Sequence, residues 1–375
     1  MSMEKQKISL LEEEPQMLVD HYRLPVQALP NPLRVTAVDG KPLIKPIKFQ
    51  TEPVELSVKT QDINSINDSS NHVSEYIFGF PVLHGFHILL LIIFFFIYLS
   101  SISGNGLLFI IVTLEQKLHT PMYFFVRNLS LVDMMTTIAT IPKMLNKFST
   151  HHDSFSFQGC FVQMYFFVSF NAIECYLLSV MAFDRYMAIC SPLRYHSIMN
   201  RQFSTSLALV SWTLGFASPI VVIILALKLP SCGTDDIQHY YCDHPLLIQL
   251  ACADTPLHVK IGTSLSALLL FTCFTIIVIS YCRIIVSILR IASSEGRGKT
   301  FSTCTSHFIV VNMFFLPPIF MYIFPKPFYS SDIDLLVDML YTVLTPMLNP
   351  IMYSFRNRDI KDSLKKHILH IKKNP

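Results

Sequence analysis

The sequence predicts an all-α membrane protein: a seven-transmembrane helix bundle with a short amphipathic C-terminal helix and a disordered N-terminal extension. Three observations predict it. Of the 375 residues 51% are hydrophobic and only 15% charged, too little polar surface to cover a soluble fold of this size. The run from Phe86 to Leu114 holds no Asp, Glu, Lys or Arg, and a helix needs only about 20 apolar residues to cross a bilayer. Six comparable runs follow.

The spans are read at about 86–114, 121–146, 160–191, 204–228, 259–289, 301–324 and 335–355. Residues 1–66 form the extension, 67–85 an extracellular N-terminus, 86–355 the helix bundle and 356–375 a cytoplasmic tail. The extension is rich in Pro, Lys, Glu and Gln, a composition that buries little apolar surface. Its stretch "LPNPLRVTAVDGKPLIKPIKF" resembles part of a retrotransposon aspartic-protease region, which implies a transposon-derived segment. Val38-Asp39-Gly40 does not supply the Asp-Ser/Thr-Gly triplet, so no protease activity is expected.

Orientation follows from the basic residues of the short loops. With the N-terminus outside, the cytoplasmic side receives Lys117, Arg194, Arg201, Arg290, Arg297 and Lys299, and the tail adds Arg356, Arg358, Lys361, Lys365 and Lys366. The outer side carries little beyond Lys147, Lys228, Lys260 and Lys326. The opening "MSMEKQKISLLEEEPQ" has no apolar core, so the first span is expected to act as its own insertion signal. Asn67-Asp68-Ser69 is then an extracellular glycosylation sequon, whereas Asn128-Leu129-Ser130 lies within a span. The formal charge of +3 suggests no nucleic-acid partner. No phosphate loop, His-Glu-x-x-His or Cys-x-x-Cys motif indicates an enzyme.

Cys160 opens the third span on the outer side, and Cys232, Cys242 and Cys252 occupy the second outer loop. Four cysteines in an oxidising compartment allow three pairings. A zinc site combining them with His239 and His244 is the sharper alternative. Cys175, Cys190, Cys273, Cys282 and Cys304 read as packing residues.

Two carboxylates fall inside spans, at a cost of about 2.5–3.5 kcal/mol each on insertion scales. Asp133 lies about 18 Å, and Glu174 about 16 Å, from the cytoplasmic face at 1.5 Å per residue, with Asn105 and Asn349 near the same depth. Two such acids repel unless a proton or a cation lies between them. The candidates are a sodium ion held by Asp133, Glu174 and a hydroxyl of Ser179 or Ser130, a shared proton, or a polar network that tightens the bundle. No other cofactor is implied.

Five stretches carry a resemblance: "LHTPMYFFVRNLSLVDM", "MAFDRYMAICSPLRY", "HYYCDHPLLIQLACAD", "SYCRIIVSILRIASSEGRGKTFSTCTSH" and "PMLNPIMYSFRNRDIK". From about Asn67 to its end the chain resembles the odorant receptors, within the rhodopsin-like G-protein-coupled receptors. The resemblance implies that Asp184 restrains Arg185 of the Asp-Arg-Tyr triplet, completed by Tyr186, until Arg185 turns toward a stimulatory heterotrimeric G protein. It implies activation roles for Tyr281 and for Asn349, Pro350 and Tyr353 of the Asn-Pro-x-x-Tyr motif. It also implies the disulfides Cys160–Cys242 and Cys232–Cys252. Phe355, Ile360, Leu364, Ile368 and Ile371 recur near helical spacing among lysines, as in an amphipathic helix on the inner leaflet.

A small, mostly apolar odorant is expected between the outer halves of spans three, five, six and seven. Met164, Phe167, Val168 and Asn171 share one face of span three by spacing; Leu265, Ser266, Leu269, Tyr322, Tyr341 and Thr342 complete the wall. Span seven offers no lysine for a retinal Schiff base, and the outer half of span three no aspartate for an amine. Lys326 can attract a carboxylate ligand or serve as a loop anchor. Phe183 and Phe315 stand where tyrosines are frequent in the family. Intramembrane carboxylates also suit a transporter, but no internal repeat supports one. A peptide or lipid receptor fits the "KTFSTCTSH" and "PMLNPIMYSFRN" runs less well. The expected location is the plasma membrane, within the lipid bilayer.

Overall fold

In the computed structural model the described residues are 26–33, 47–51, 75–78, 87–150, 154–228, 236–237, 242, 256–291, 293–323, 339–356, 360–363 and 365–366. The chain divides into two units, Met1–Ser70 and Asn71–Pro375. In the first, β1 (Val26–Leu33) pairs antiparallel with β2 (Ile47–Thr51), Val26 opposite Thr51 and Ala28 opposite Phe49. This departs from the unordered chain expected from composition. The ladder loses its register between Ala28 and Leu33, where Pro30 and Pro32 have no N–H to donate.

The second unit is a helix bundle. Its helices are α1 (His87–Leu114), α2 (Pro121–Thr150), α3 (Phe157–Cys190), α4 (Pro192–Ile198), α5 (Arg201–Ala217), α6 (Ile220–Leu227), α7 (Pro256–Leu289), α8 (Ser294–Ile323) and α9 (Thr345–Arg356). A short 3-10 turn, Gln116–Leu118, joins α1 to α2, and a π-helical turn, Leu340–Leu344, leads into α9. Short strands β3 (Glu75–Phe78), β4 (Ser154–Ser156) and β5 (Asp236–Ile237) form a sheet in the order β4-β3-β5. These strands lie beyond the helical pattern read from sequence.

Among the described residues, five stretches are long and apolar enough to cross a bilayer: Ile88–Leu114, Pro121–Asn146, Gln158–Cys190, Arg201–Leu227 and Lys260–Leu289. The sixth predicted span falls on α8, whose apolar part, Cys304–Phe320, is shorter because its first turns are polar. The seventh is described over 339–356. The fourth is bent rather than continuous: Ser218 and Pro219 separate α5 from α6, because proline supplies no N–H to the preceding turn. Asn200 starts α5, its side-chain oxygen accepting from the Phe203 amide at 2.8 Å.

The third helix is the hub, packing against α2, α5 and α7, while α1 packs on α2 and α9. It contributes Ile173, Leu177, Leu178 and Met181 to the core. Outward-facing apolar residues such as Ile88, Phe96, Leu107, Leu209 and Ile279 remain exposed, as expected of helices solvated by lipid. Gly215 lets α5 approach α3: a Cβ there would meet Ile173 Cγ1 and lie 3.0 Å from the Ile173 amide nitrogen.

Gly215→Ala is therefore expected to lower the thermal stability of the purified chain by about 1–3 kcal/mol, the usual cost of overpacking. Nothing lies within 4 Å of a Cβ built on Gly298, so Gly298→Ala is the control. An unshifted unfolding midpoint for Gly215→Ala would contradict the close contact.

Candidate functional site

At the C-terminal end of α3 the backbone places Asp184 inward and Arg185 at the rim. The Asp184 side chain is fully buried. Its Oδ2 accepts from Arg185 Nη2 at 2.8 Å and Nε at 3.2 Å. Its other oxygen, Oδ1, accepts from the Tyr195 hydroxyl at 2.9 Å. Both carboxylate oxygens are thus engaged, which is how a charge tolerates burial. Tyr195 sits on α4, and desolvation, followed by the adjacent Asp184 charge, raises its phenol pKa. Sequence reading included Tyr195 within a motif but gave it no role; its eleven-residue separation from Asp184 spans a helix break, so periodicity carries no signal for it. Tyr186 is half-buried beside Phe183, ring centroids 6.2 Å apart.

A second group joins α3, α7 and α8. The Tyr281 hydroxyl lies 2.8 Å from His307 Nδ1 and 3.2 Å from the Cys304 carbonyl, and the rings stack. His307 Nε2 lies 3.2 Å from the Leu178 carbonyl. A carbonyl only accepts, so Nε2 carries the hydrogen and Nδ1 of the neutral ring accepts from Tyr281. Tyr281 was expected from the sequence; His307 was not, although its place inside an apolar helix was a usable signal.

Deeper in the bundle, Asn349 reaches both intramembrane carboxylates. Its Nδ2 lies 3.0 and 3.2 Å from the two Asp133 oxygens and 3.4 Å from Glu174 Oε1. The two acids, expected at similar depth, are brought to one amide, and both are buried. Asn349 Oδ1 has no hydrogen-bond partner among the described residues. That oxygen and the two carboxylates form a donor set of the hard, oxygen-only kind that suits sodium. Ser130 and Ser179 donate their hydrogens to the carbonyls of Val126 (3.0 Å) and Cys175 (2.8 Å), which leaves their lone pairs as further acceptors.

The kink of α9 is built into the same region. Pro350 cannot donate to the Pro346 carbonyl, and Asn105 of α1 donates to that carbonyl instead at 2.7 Å. Gly104 makes room for the proline ring: a Cβ there would lie 3.0 Å from Pro350 Cγ. Tyr353 is buried nearby.

At the opposite end of α3, Cys160 and Cys242 form a disulfide with Cα atoms 5.3 Å apart. That pairing matches the one implied by resemblance and removes Cys242 from any zinc set. Cys232, Cys252, His239, His244, Asn67 and Lys326 lie outside the described residues. Among the described residues no cluster of three His, Cys, Asp or Glu side chains suits a metal.

The expected ligand wall is only partly assembled. Met164, Phe167 and Thr342 are buried, and Val168 and Asn171 half-buried, on the inward side of α3 and the seventh helix. Asn171 donates to the Phe167 carbonyl, 3.0 Å away. On α7, Leu269 is half-buried, and Leu265 and Ser266 are exposed. The side chains of Tyr322 and Tyr341 lie outside the described residues. The amphipathic tail is present in part: residues 360–363 are helical, Ile360 is buried, and Lys366 pairs with Glu115 at 3.0 Å. Leu364, Ile368 and Ile371 lie outside the description.

Comparison with known proteins agrees with this geometry. A family model described as olfactory receptor matches residues 94–372. The chain is 43% identical over 302 residues to olfactory receptor 6N1 of Homo sapiens, covering 80% of this chain and 97% of that receptor. It is 43% identical over 279 residues to olfactory receptor 10A5 of Homo sapiens, covering 74% and 87%. With olfactory receptor 5AR1 of Mus musculus it shares 41% over 304 residues, covering 80% and 98%.

Replacing His307 by Phe keeps the ring volume but removes the 2.8 Å contact with the Tyr281 hydroxyl and the hydrogen bond to the Leu178 carbonyl. The expected cost is about 0.5–1.5 kcal/mol of stability per hydrogen bond lost, read from thermal unfolding in detergent. A stability equal to that of the parent chain would show that neither contact matters.

Proposed function

The chain belongs to the olfactory receptor family of multi-pass membrane receptors, and from that premise we propose that it binds a small, mostly apolar odorant in the outer half of the bundle and activates a stimulatory heterotrimeric G protein. It is a receptor and not an enzyme. The observation that carries the signalling half is Asp184 buried at the rim and held by both Arg185 and Tyr195. An ion pair at a membrane edge can exchange partners at low cost, whereas the same charge deeper in lipid cannot. Arg185 is the group that leaves; Asp184, itself fixed by Tyr195, holds it until then. The sequential motion that frees it runs through α8, which His307 and Tyr281 tie to α3 and α7.

The orientation we propose is an extracellular N-terminus and a cytoplasmic C-terminus in the plasma membrane. A disulfide at Cys160 belongs in an oxidising compartment, so the Arg185 end, about 38 Å along the same helix at 1.5 Å per residue, faces the cytosol. The basic tail agrees. On that cytosolic face Leu193 of α4 is 98% exposed. A large apolar side chain held in water beside the switch is suited to insertion into the G protein.

The ligand wall on α3 is mainly apolar with Asn171 as its polar contact, as suits a poorly soluble organic molecule. Deeper in, a sodium ion or a shared proton between Asp133, Glu174 and Asn349 would relieve their repulsion. Either occupant would favour the arrangement in which these three helices are closest, the resting one.

Two measurements test the reading in cells expressing the chain with a cyclic AMP reporter and a library of volatile ligands, and a third uses purified protein. Arg185→Ala is expected to abolish evoked signal at unchanged surface expression; a retained signal refutes the assigned role. Tyr195→Phe removes a hydrogen bond to a charged group, about 1.5–3 kcal/mol, and is expected to raise ligand-independent signal by about tenfold. In purified protein, sodium should raise the unfolding temperature of the parent but not of Asp133→Asn, and equal responses would exclude sodium.

A further inference from the structure

Besides Asp133, the first half of α2 carries a charge that the signalling roles do not use. Arg127 lies about 9 Å along the helix from Pro121 at 1.5 Å per residue, inside the apolar span Pro121–Asn146. Its guanidinium rests on two aromatic rings. Cζ is 5.3 Å from the centroid of Phe124 and 5.9 Å from that of Phe109 on α1. Phe124 is one turn nearer the start of α2, so the side chain runs back toward that end, the direction helical side chains take. Arg127 and both rings are only half-buried, and Ile110, next to Phe109, is 52% exposed. The group therefore borders lipid.

The rings meet the charge but not the hydrogens. Among the described residues Arg127 makes no hydrogen bond and no ion pair. Its fork of N–H donors is left without acceptors, an unfavourable state in apolar surroundings. Pro121–Asn146 is about 38 Å long at 1.5 Å per residue, against a hydrocarbon core of about 30 Å. The excess, shared between the two ends, puts the level of Phe124, about 4.5 Å along from Pro121, at the headgroup boundary. The acceptors available there are lipid phosphates. The turn joining α1 to α2 adds a second cation: Lys117 is exposed and, among the described residues, makes no hydrogen bond or ion pair. Glu115, the nearest acid in sequence, is engaged elsewhere, by Lys366 at 3.0 Å.

We propose that Arg127 and Lys117 form a binding site for one phosphatidylserine, its phosphate at Arg127 and its carboxylate at Lys117. Three features select that lipid. The planar fork of an arginine matches two oxygens of one phosphate, and a fatty acid or a sterol brings none. Lys117 disfavours phosphatidylcholine, whose quaternary ammonium would face a cation. A multiply phosphorylated inositol head carries more charge than one lysine balances; sites for such heads gather several Lys and Arg. Only the choice of leaflet rests on the orientation proposed above, which makes it the cytoplasmic one, where anionic lipids are concentrated. A lipid held there fastens α2 and its turn to the membrane beside the contact through which Glu115 holds the tail.

The test uses the full chain in phosphatidylcholine nanodiscs with the same lipid mixture in both leaflets, so that orientation does not enter. Diazirine-bearing phosphatidylserine or phosphatidylcholine is added at equal mole fraction. Labelling of residues 107–127 is normalised to that of α6, an apolar helix without charged residues. On the parent chain phosphatidylserine is expected to exceed phosphatidylcholine by about fivefold, the discrimination one lysine near a membrane surface supplies. Lys117→Gln should bring that ratio to about one. Arg127→Gln should lower labelling by both lipids, and Arg127→Lys, which keeps the charge without the fork, should restore it only in part. Arg283→Gln, a change of an exposed residue on α7, is the control and should alter nothing at 107–127. Unfolding temperatures check each variant; if Arg127→Gln does not fold, the parent ratio and Lys117→Gln, at an exposed position, decide. A ratio near one on the parent overturns the proposal, as does an equal loss with Arg283→Gln. So does displacement of the probe about tenfold more readily by unlabelled phosphatidylinositol bisphosphate than by unlabelled phosphatidylserine. No readout requires an odorant or a G protein, so failure here leaves the receptor reading intact, and the reverse holds.

Discussion

A bilayer offers no water to a stranded carbonyl, and this constraint governs how the bundle can bend. Prolines occur inside α2, α8 and α9, and each removes a donor from its helix. At α9 the loss is met from another helix: Asn105 of α1 donates to the Pro346 carbonyl at 2.7 Å. The kink is thus not a property of one segment but a joint between two. Gly104, one residue earlier, completes it by leaving space for the Pro350 ring. The bend is stable because a side chain from elsewhere replaces what proline cannot supply.

The same constraint explains where polar side chains lie. Asn128, part of a sequon-like triplet inside a span, accepts from the Trp212 indole at 3.1 Å and so ties α2 to α5. Thr137 donates to the Asp133 carbonyl at 2.7 Å, which leaves Ser101 as the donor of the 2.8 Å hydroxyl pair between α1 and α2. These bonds hold neighbours together at modest strength, about 0.6 kcal/mol on average in membranes. The Asp133–Asn349–Glu174 group differs in kind. Two buried acids on one amide leave a charge imbalance that only a proton or cation can neutralise. A network with such an imbalance responds to its occupant, while a satisfied one does not.

The third helix connects these regions and keeps its ends chemically distinct. Its outer end is fastened by Cys160 to Cys242, its middle carries Glu174, and its inner end carries Asp184 and Arg185. One face turns Met164 and Phe167 inward; the other presents Val162 and Phe166 to lipid. Displacement at the outer end therefore reaches the rim through a single rigid element packed on three others. The Tyr195 bond matters in this context, because it fastens the inner end to α4, beside the exposed Leu193.

Much was legible in the chain itself. Runs of apolar residues located the helices, because crossing hydrocarbon demands length and apolarity that few soluble segments combine. The depth of Asp133 and Glu174 followed from counting residues, since helical rise is constant. The Asp184–Arg185 pair could be named because the partners are adjacent. Tertiary structure alone decided the rest: that Asn349 is the amide between the acids, that Tyr195 takes the second Asp184 oxygen, and that His307 joins Tyr281 to Leu178. Helical period assigns residues to a common face but not the neighbour that face meets. These contacts join residues as much as 216 positions apart, and only the packing of whole helices brings such residues within bonding distance.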